Sequence, residues 1–113
     1  NATMLKNWAI ASNRLYYAAY YIVSALLIQN KHIANTHAGT RALFHQYFIK
    51  TGIVSDKSGR IFSKLSETRH ASDYDDFYAL DEKDILPLIE QAKIFIDEIE
   101  QVINDGKEND PIR

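Results

Sequence analysis

The sequence predicts an all-α fold, an antiparallel bundle of four helices, and three observations carry that expectation. Glycine and proline number only 4 and 2 in 113 residues, too few for strands joined by tight turns. Apolar residues return at spacings of three and four along most of the chain. The stretches that interrupt this period are short and rich in helix-capping residues. With 46% hydrophobic and 25% charged residues, the chain has the balance of one domain around one core. That domain is expected over residues 3–105, with 106–113 as a frayed tail.

A first helix is predicted over residues 5–29. Leu5, Trp8, Leu15, Ala19, Ile22 and Leu26 form one stripe, but Tyr16, Tyr17, Tyr20, Tyr21 and Leu27 fill the opposite side. A helix apolar nearly all round needs cover on several sides. Three partner helices leave it under-covered, so a further helix or a second subunit is expected against it. Asn35 or Thr36 then caps a second helix over 37–50, burying Leu43, Phe44, Tyr47 and Phe48, and Gly52 occupies the left-handed C-terminal position. Ser55 or Asp56 caps a third helix that ends near His70 or Ala71 and buries Ile61, Phe62 and Leu65.

The last helix starts between Leu80 and Ile85. Asp81 as N-cap would pair Leu80 with Ile85 as a hydrophobic staple and place Pro87 inside the helix. Asp84 as N-cap would put Pro87 in the first turn. Ile85, Ile89, Ala92, Ile96, Ile99 and Ile103 mark its buried face, and "NDGKENDPIR" terminates it.

Composition excludes several chemistries. Without cysteine there is no disulfide framework, no thiolate nucleophile and no cysteine-based zinc site. No cofactor is called for: a Gly-rich phosphate loop, a dinucleotide fingerprint and a nucleophile elbow are all absent. The apolar run from Leu15 to Ile28 is shorter than a membrane span and carries four tyrosines, so no membrane association is expected. The lack of a secretory signal predicts a cytoplasmic protein. The net charge of −2 conceals a polarity. Residues 1–72 hold nine Lys/Arg against two Asp/Glu, a balance of +7, while residues 73–113 hold four against thirteen, a balance of −9. Either the basic part meets a phosphate-bearing partner, or the acidic helix folds against the basic ones.

"TRHASDYDDF", residues 68–77, mixes ionisable groups more tightly than any other stretch. With a helix ending near Ala71, Arg69 and His70 would stand in its last turn, where the dipole favours cations. Arg69 then either pairs with Asp73, with Tyr74 and Phe77 packed on the core, or binds a phosphate beside His70 or Tyr74. Asp73, Asp75 and Asp76 lack the glycine turn and terminal glutamate of a calcium loop, and His37 and His45 lack a third zinc ligand, so no metal is expected. His37 suits helix N-terminal turn chemistry, and His45 a partly exposed position. Arg14 lies a turn from Tyr17 and Tyr21; an arginine buried among tyrosines needs an anionic partner, and Asp73 is a candidate. Arg41, Phe44, Tyr47 and Lys50 interleave charge and aromatic rings as single-stranded RNA binders do, although these rings also suit a core.

The runs "NRLYYAAYYIVSALL", "THAGTRALFHQYFIKTG", "GRIFSKLSETRHASDYDDF" and "IEQAKIFIDEI", spread from Trp8 to Val102, resemble the HEPN domains of prokaryotes, specifically the small UPF0332-type branch. The most specific pieces are Arg-x-Tyr-Tyr-Ala from Arg14, Thr-His-x-Gly from Thr36 and Arg-x-x-x-Asp-Tyr from Arg69. The resemblance implies a helical bundle that dimerises, and a first family helix upstream of Leu5 that this sequence lacks. It also implies metal-independent ribonucleases, and pairing with a small nucleotidyltransferase in toxin–antitoxin systems. Catalytic members carry an arginine, four to six residues, then a histidine; after Arg69 those positions hold Tyr74, Asp75 and Asp76. Arg41 and His45 are separated by only three residues and lie on the preceding helix.

The leading expectation is a nucleotide- or RNA-binding dimer acting with a nucleotidyltransferase in a toxin–antitoxin or stress-response system. Arg69, His70, Asp73, Tyr74, Arg14, Tyr17 and His37 are its ligand-binding residues. One alternative is a non-standard ribonuclease, with His70 or Tyr74 transferring protons and Arg69 stabilising the phosphorane. The other is a structural partner subunit without a ligand.

Overall fold

A computed structural model describes residues 2–75 and 79–108, with side chains from residue 7 onward. Helix α1 spans Ala2–Gln29. Helix α2 spans His37–Phe44 and continues as a π-helix over His45–Ile49. Helix α3 spans Asp56–Tyr74, and α4 spans Glu82–Glu108. The fold is an all-α, four-helix bundle, elongated to 55 × 25 × 23 Å.

Local chemistry sets most of the boundaries. Thr36 caps α2 by accepting the Gly39 N–H at 2.9 Å. Ser55 caps α3 by accepting the Ser58 N–H at 3.1 Å. Gly52 takes a positive φ of 81° after the π-helix, a conformation glycine reaches without Cβ strain. At the head of α4, Asp81 and Asp84 exchange side-chain-to-backbone bonds of 3.1 and 3.3 Å, a reciprocal capping box. Leu80 and Ile85 are both buried beside it, the staple that an Asp81 cap predicts, and Pro87 lies inside the helix.

Each helix contributes an aromatic ring to the centre. Phe62 of α3 stacks on Phe95 of α4 at 5.4 Å and 8° between planes. Phe44 of α2 meets both edge-on, at 5.4 and 6.0 Å. Tyr16 of α1 stacks on Phe62 at 6.2 Å. Ring pairs of this kind add to the area they bury. Helix α3 runs antiparallel to its neighbours: Ser58 near its start meets Glu98 of α4, while Arg69 near its end meets Tyr17 of α1. Helices α1 and α4 run side by side, and Gln29 donates to the Ile103 carbonyl at 2.9 Å.

Four details differ from the sequence expectation. The second helix ends in a π turn, marked by the Lys50 N–H bonding the His45 carbonyl at 2.8 Å. The wider turn brings Ile49 inward beside Phe48 and leaves Tyr47 39% exposed, stacked on His32 at 4.0 Å. Helix α3 does not stop near Ala71 but continues to Tyr74, so Arg69 and His70 stand before its last turn. Helix α4 runs past Asn104, because Gln29 props its end; a Cβ on Gly106 would meet the Gln29 amide at 2.9 Å. The fully buried face of α4 is Ile85, Leu88, Ala92, Phe95 and Ile99, with Ile89, Ile96 and Ile103 on its flank. Leu5, Asp76 and Phe77, which carry sequence expectations, lie outside the described side chains.

Candidate functional site

The end of α3 packs across the middle of α1 and the start of α2. Tyr16 and Tyr17 stand next to each other on α1, Tyr20 is a turn further, and all three turn toward the other helices. Arg69 reaches across from α3, and its side chain is 17% exposed. One guanidinium nitrogen donates to the Tyr17 hydroxyl at 3.1 Å. The guanidinium carbon sits 5.2 Å from the Tyr16 ring, 5.3 Å from Tyr17 and 5.9 Å from Tyr74. Nε lies 3.1 Å from the Asp73 carboxylate one helical turn on. That contact is an ion pair rather than an aligned hydrogen bond, since Nε is buried with no partner in bonding geometry. Asn13 of α1 donates to the same carboxylate at 3.3 Å and ties the pair to the central helix.

His37 opens α2 against this cluster. Its ring stacks on Tyr20 at 4.4 Å, and its Nδ1 lies 2.7 Å from the Tyr16 hydroxyl. Burial chiefly, and then the charges of Arg69 and Arg41, lower the His37 pKa below the ordinary 6.5. Burial raises the Tyr16 pKa above 10, against the opposing pull of Arg41 and Arg69. Both groups are therefore neutral, and the bond's direction follows the His37 tautomer: Tyr16 donates when the ring proton is on Nε2 and accepts when it is on Nδ1. Arg41, one turn along α2, is exposed and reaches Ser66 of α3 at 3.4 Å. Two guanidinium groups therefore act on one Tyr–His pair.

The structure thus gathers Tyr17, His37, Arg69, Asp73 and Tyr74 of the sequence-derived residues. It adds Tyr16, Asn13 and Arg41. His70 is exposed and stacks on Tyr74 at 4.8 Å, away from the tyrosines of α1. Arg14 is exposed and does not enter the cluster. The arginine among tyrosines, tied to Asp73, is Arg69: the expected pairing forms with the other arginine, because position 14 turns outward when Tyr16 turns in. Thr36, one of the two expected caps, caps α2, and His37 stands in the first turn of that helix. Phe44 is 2% exposed and belongs to the core, so it cannot stack on a base. Among the described residues, no group of three His, Asp or Glu is placed to hold a metal ion, and no helix is long and apolar enough to cross a membrane.

A second polar cluster lies at the opposite end of α3. Glu98 of α4 accepts the Ser55 N–H at 2.7 Å, the Ser55 hydroxyl at 2.8 Å and the Ser58 hydroxyl at 2.6 Å. Burial pulls its pKa upward, but the Ser58 and Ser55 hydrogen bonds prevail and hold it below 4.5. No sequence signal singled out this carboxylate, because its partners lie about 40 residues away.

An all-helical chain with an arginine–aspartate pair set against a tyrosine-lined central helix matches one family. The HEPN domain family model covers residues 2–102, and the chain belongs to that family. It is 37% identical over 106 residues to a UPF0332 protein of Thermotoga maritima, covering 92% of this chain and 80% of that protein. It is 29% identical over 92 residues to "Putative toxin MJ0605" of Methanocaldococcus jannaschii, covering 81% of this chain and 68% of that protein. A second protein of that organism, "Putative toxin MJ0142", is 25% identical over 93 residues, covering 82% and 63%.

Proposed function

We propose that this chain is a toxin-type HEPN module that binds single-stranded RNA or a nucleotide at the Arg41–Arg69–His37 cluster. The convergence of two guanidinium groups on the neutral His37–Tyr16 pair carries this reading. Arg41 is exposed and, among the described residues, meets only neutral groups, Ser66 at 3.4 Å and the Tyr16 hydroxyl, so its charge is available to a phosphate. Arg69 is half neutralised by Asp73 and sets the field from beneath. In the tautomer that accepts from Tyr16, the His37 Nε2–H is left to donate to a phosphate oxygen, and Tyr74, 68% exposed beside Arg69, can stack on a base. The toxin names of two relatives support the toxin part of this reading; action against RNA, held in check by a nucleotidyltransferase partner, completes the proposal.

The test is incubation of labelled single-stranded RNA with the protein in EDTA, scoring band shift and cleavage together. The expected result is a shift that rising salt weakens and Arg41→Ala with Arg69→Ala abolishes. A second reading, metal-independent cleavage, uses the other tautomer: with the neutral His37 donating Nδ1–H to the Tyr16 hydroxyl, the Nε2 lone pair is left to act as a general base. Cleavage lost in His37→Gln with binding retained would select it. Neither shift nor cleavage would leave a structural subunit, to be sought with its protein partner.

The same reading has the chain pairing with a second copy. Ile10, Tyr21 and Ile28 recur along one face of α1 and are 45%, 65% and 65% exposed. Sedimentation of Tyr21→Glu beside wild type tests this, a dimer converted to monomer being the expected outcome.

A further inference from the structure

One groove lies apart from the Arg69 cluster. It lies between the π-helix and the first turns of α3 and encloses about 740 Å³. Its floor is Ile49 and Gly59, which touch closely: a Cβ on Gly59 would stand 3.2 Å from Ile49. Its walls carry His45 from the π-helix and Lys57, Arg60 and Lys64 from α3, beside the carboxylates of Asp56 and Glu67 on the same helix. Lys57, Arg60 and Lys64 are exposed, and among the described residues none of the three is in an ion pair. The acidic helix does not neutralise them either. Glu98 of α4 spends its carboxylate on Ser55 and Ser58, and among the described residues no ion pair joins α4 to α3. The groove therefore keeps three exposed cations against two carboxylates, a concave track of net positive charge.

From this groove we infer a second binding site, a channel for the phosphate backbone of single-stranded RNA that extends the Arg69 cluster. The inference rests on the RNA reading above. Arg41 of α2 and His45 of the π-helix stand one turn apart, and Arg41 touches Ser66 of α3, so the groove's cations lead toward Arg41, with Glu67 standing between them and Arg69. From Lys57 to Arg69 the helix rises about 18 Å, room for several phosphates in sequence. Ile49 and Ile61 of the groove are buried and no Phe, Tyr or Trp lines it, so it offers charge with His45 as its one stacking ring. Recognition there is of the backbone, independent of sequence and strongly dependent on salt.

The experiment is fluorescence anisotropy with a dinucleotide and a twelve-nucleotide RNA, on wild type, Arg69→Ala and the triple variant Lys57→Gln, Arg60→Gln, Lys64→Gln. All three substituted groove positions are exposed, and circular dichroism confirms the fold. The triple variant is expected to bind the longer RNA at least tenfold more weakly near 0.1 M salt. Its plot of log affinity against log salt should be shallower by about 2, from roughly 0.7 for each of three lost phosphate contacts. Dinucleotide binding should stay as in wild type. A triple variant that binds the longer RNA with wild-type affinity and slope overturns the groove while leaving the Arg69 reading intact. If instead only the triple variant loses the longer RNA and Arg69→Ala binds as wild type, the groove stands and the Arg69 reading falls. Wild type that binds neither RNA removes both.

Discussion

Helix α3 carries a polar cluster at each end, and the two differ in what they leave unspent. At its start, Glu98 meets the Ser55 N–H and the Ser55 and Ser58 hydroxyls within 2.8 Å, and the cap itself binds the Ser58 N–H. Donors and acceptor are matched, and the carboxylate is held ionised. Toward its other end, Arg69 lies against rings and one carboxylate, its Nε lacks an aligned acceptor, and Arg41 adds a second cation nearby. A saturated cluster fixes how two helices meet. An unsaturated one keeps donors and field for something that arrives later. Polar residues at equal depth in one bundle can therefore serve packing or binding, and the hydrogen-bond inventory separates the two.

That contrast can be broken by substitution. The largest effect is expected where the unsaturated cluster enters the core. Tyr16 is fully buried and stacks on Phe62, so Tyr16→Ala should cost about 3–5 kcal/mol in urea unfolding. Next comes the saturated cluster. Glu98→Ala strands the Ser58 hydroxyl and the Ser55 N–H and should cost about 2–3 kcal/mol, and Glu98→Gln about half of that. Arg69→Ala should cost only about 1–2 kcal/mol, since Asp73 is partly solvated and keeps Asn13, yet it should weaken RNA binding at least tenfold. A larger stability loss from Arg69→Ala than from Glu98→Ala would erase the distinction between the clusters.

The smallest effect is a pH dependence that also tells the ends apart. His37 has a lowered pKa in the folded state, so the unfolded chain takes up its proton first. Its contribution is complete above pH 6.5 and is lost as pH falls below that value. Glu98 also has a lowered pKa, so its contribution is complete above 4.5 and is lost as pH falls through its folded value. Urea midpoints measured from pH 8 to 3 should show two successive declines. His37→Gln should remove the upper one alone, and Glu98→Gln the lower one.

Much of this molecule was legible in the sequence, though unevenly. The fold class, the Ser55 cap, the Gly52 turn and the Leu80–Ile85 staple follow from residues at most five apart, which interact wherever the helix later packs. The Arg69–Asp73 pair is of the same kind, at i and i+4. Phe95 escaped notice because six regularly spaced apolar residues on α4 marked an overlapping stripe, which shares Ile85, Ala92 and Ile99 with the buried one and is rotated from it by only about 40°. Arg14 and Arg69 could not be told apart as the arginine facing the tyrosines, since both lie within a turn of suitable partners.

By itself the sequence determined the helices, their caps and the segregation of charge, because propensity, capping and composition act over short stretches of chain. Only the tertiary structure decided which arginine turns inward, that His37 meets Tyr16 across 21 positions, and that Arg69 meets Tyr17 across 52. Those contacts depend on how each helix rotates about its axis when the core closes. One residue of register turns a side chain by roughly 100°, enough to exchange a buried site for an exposed one.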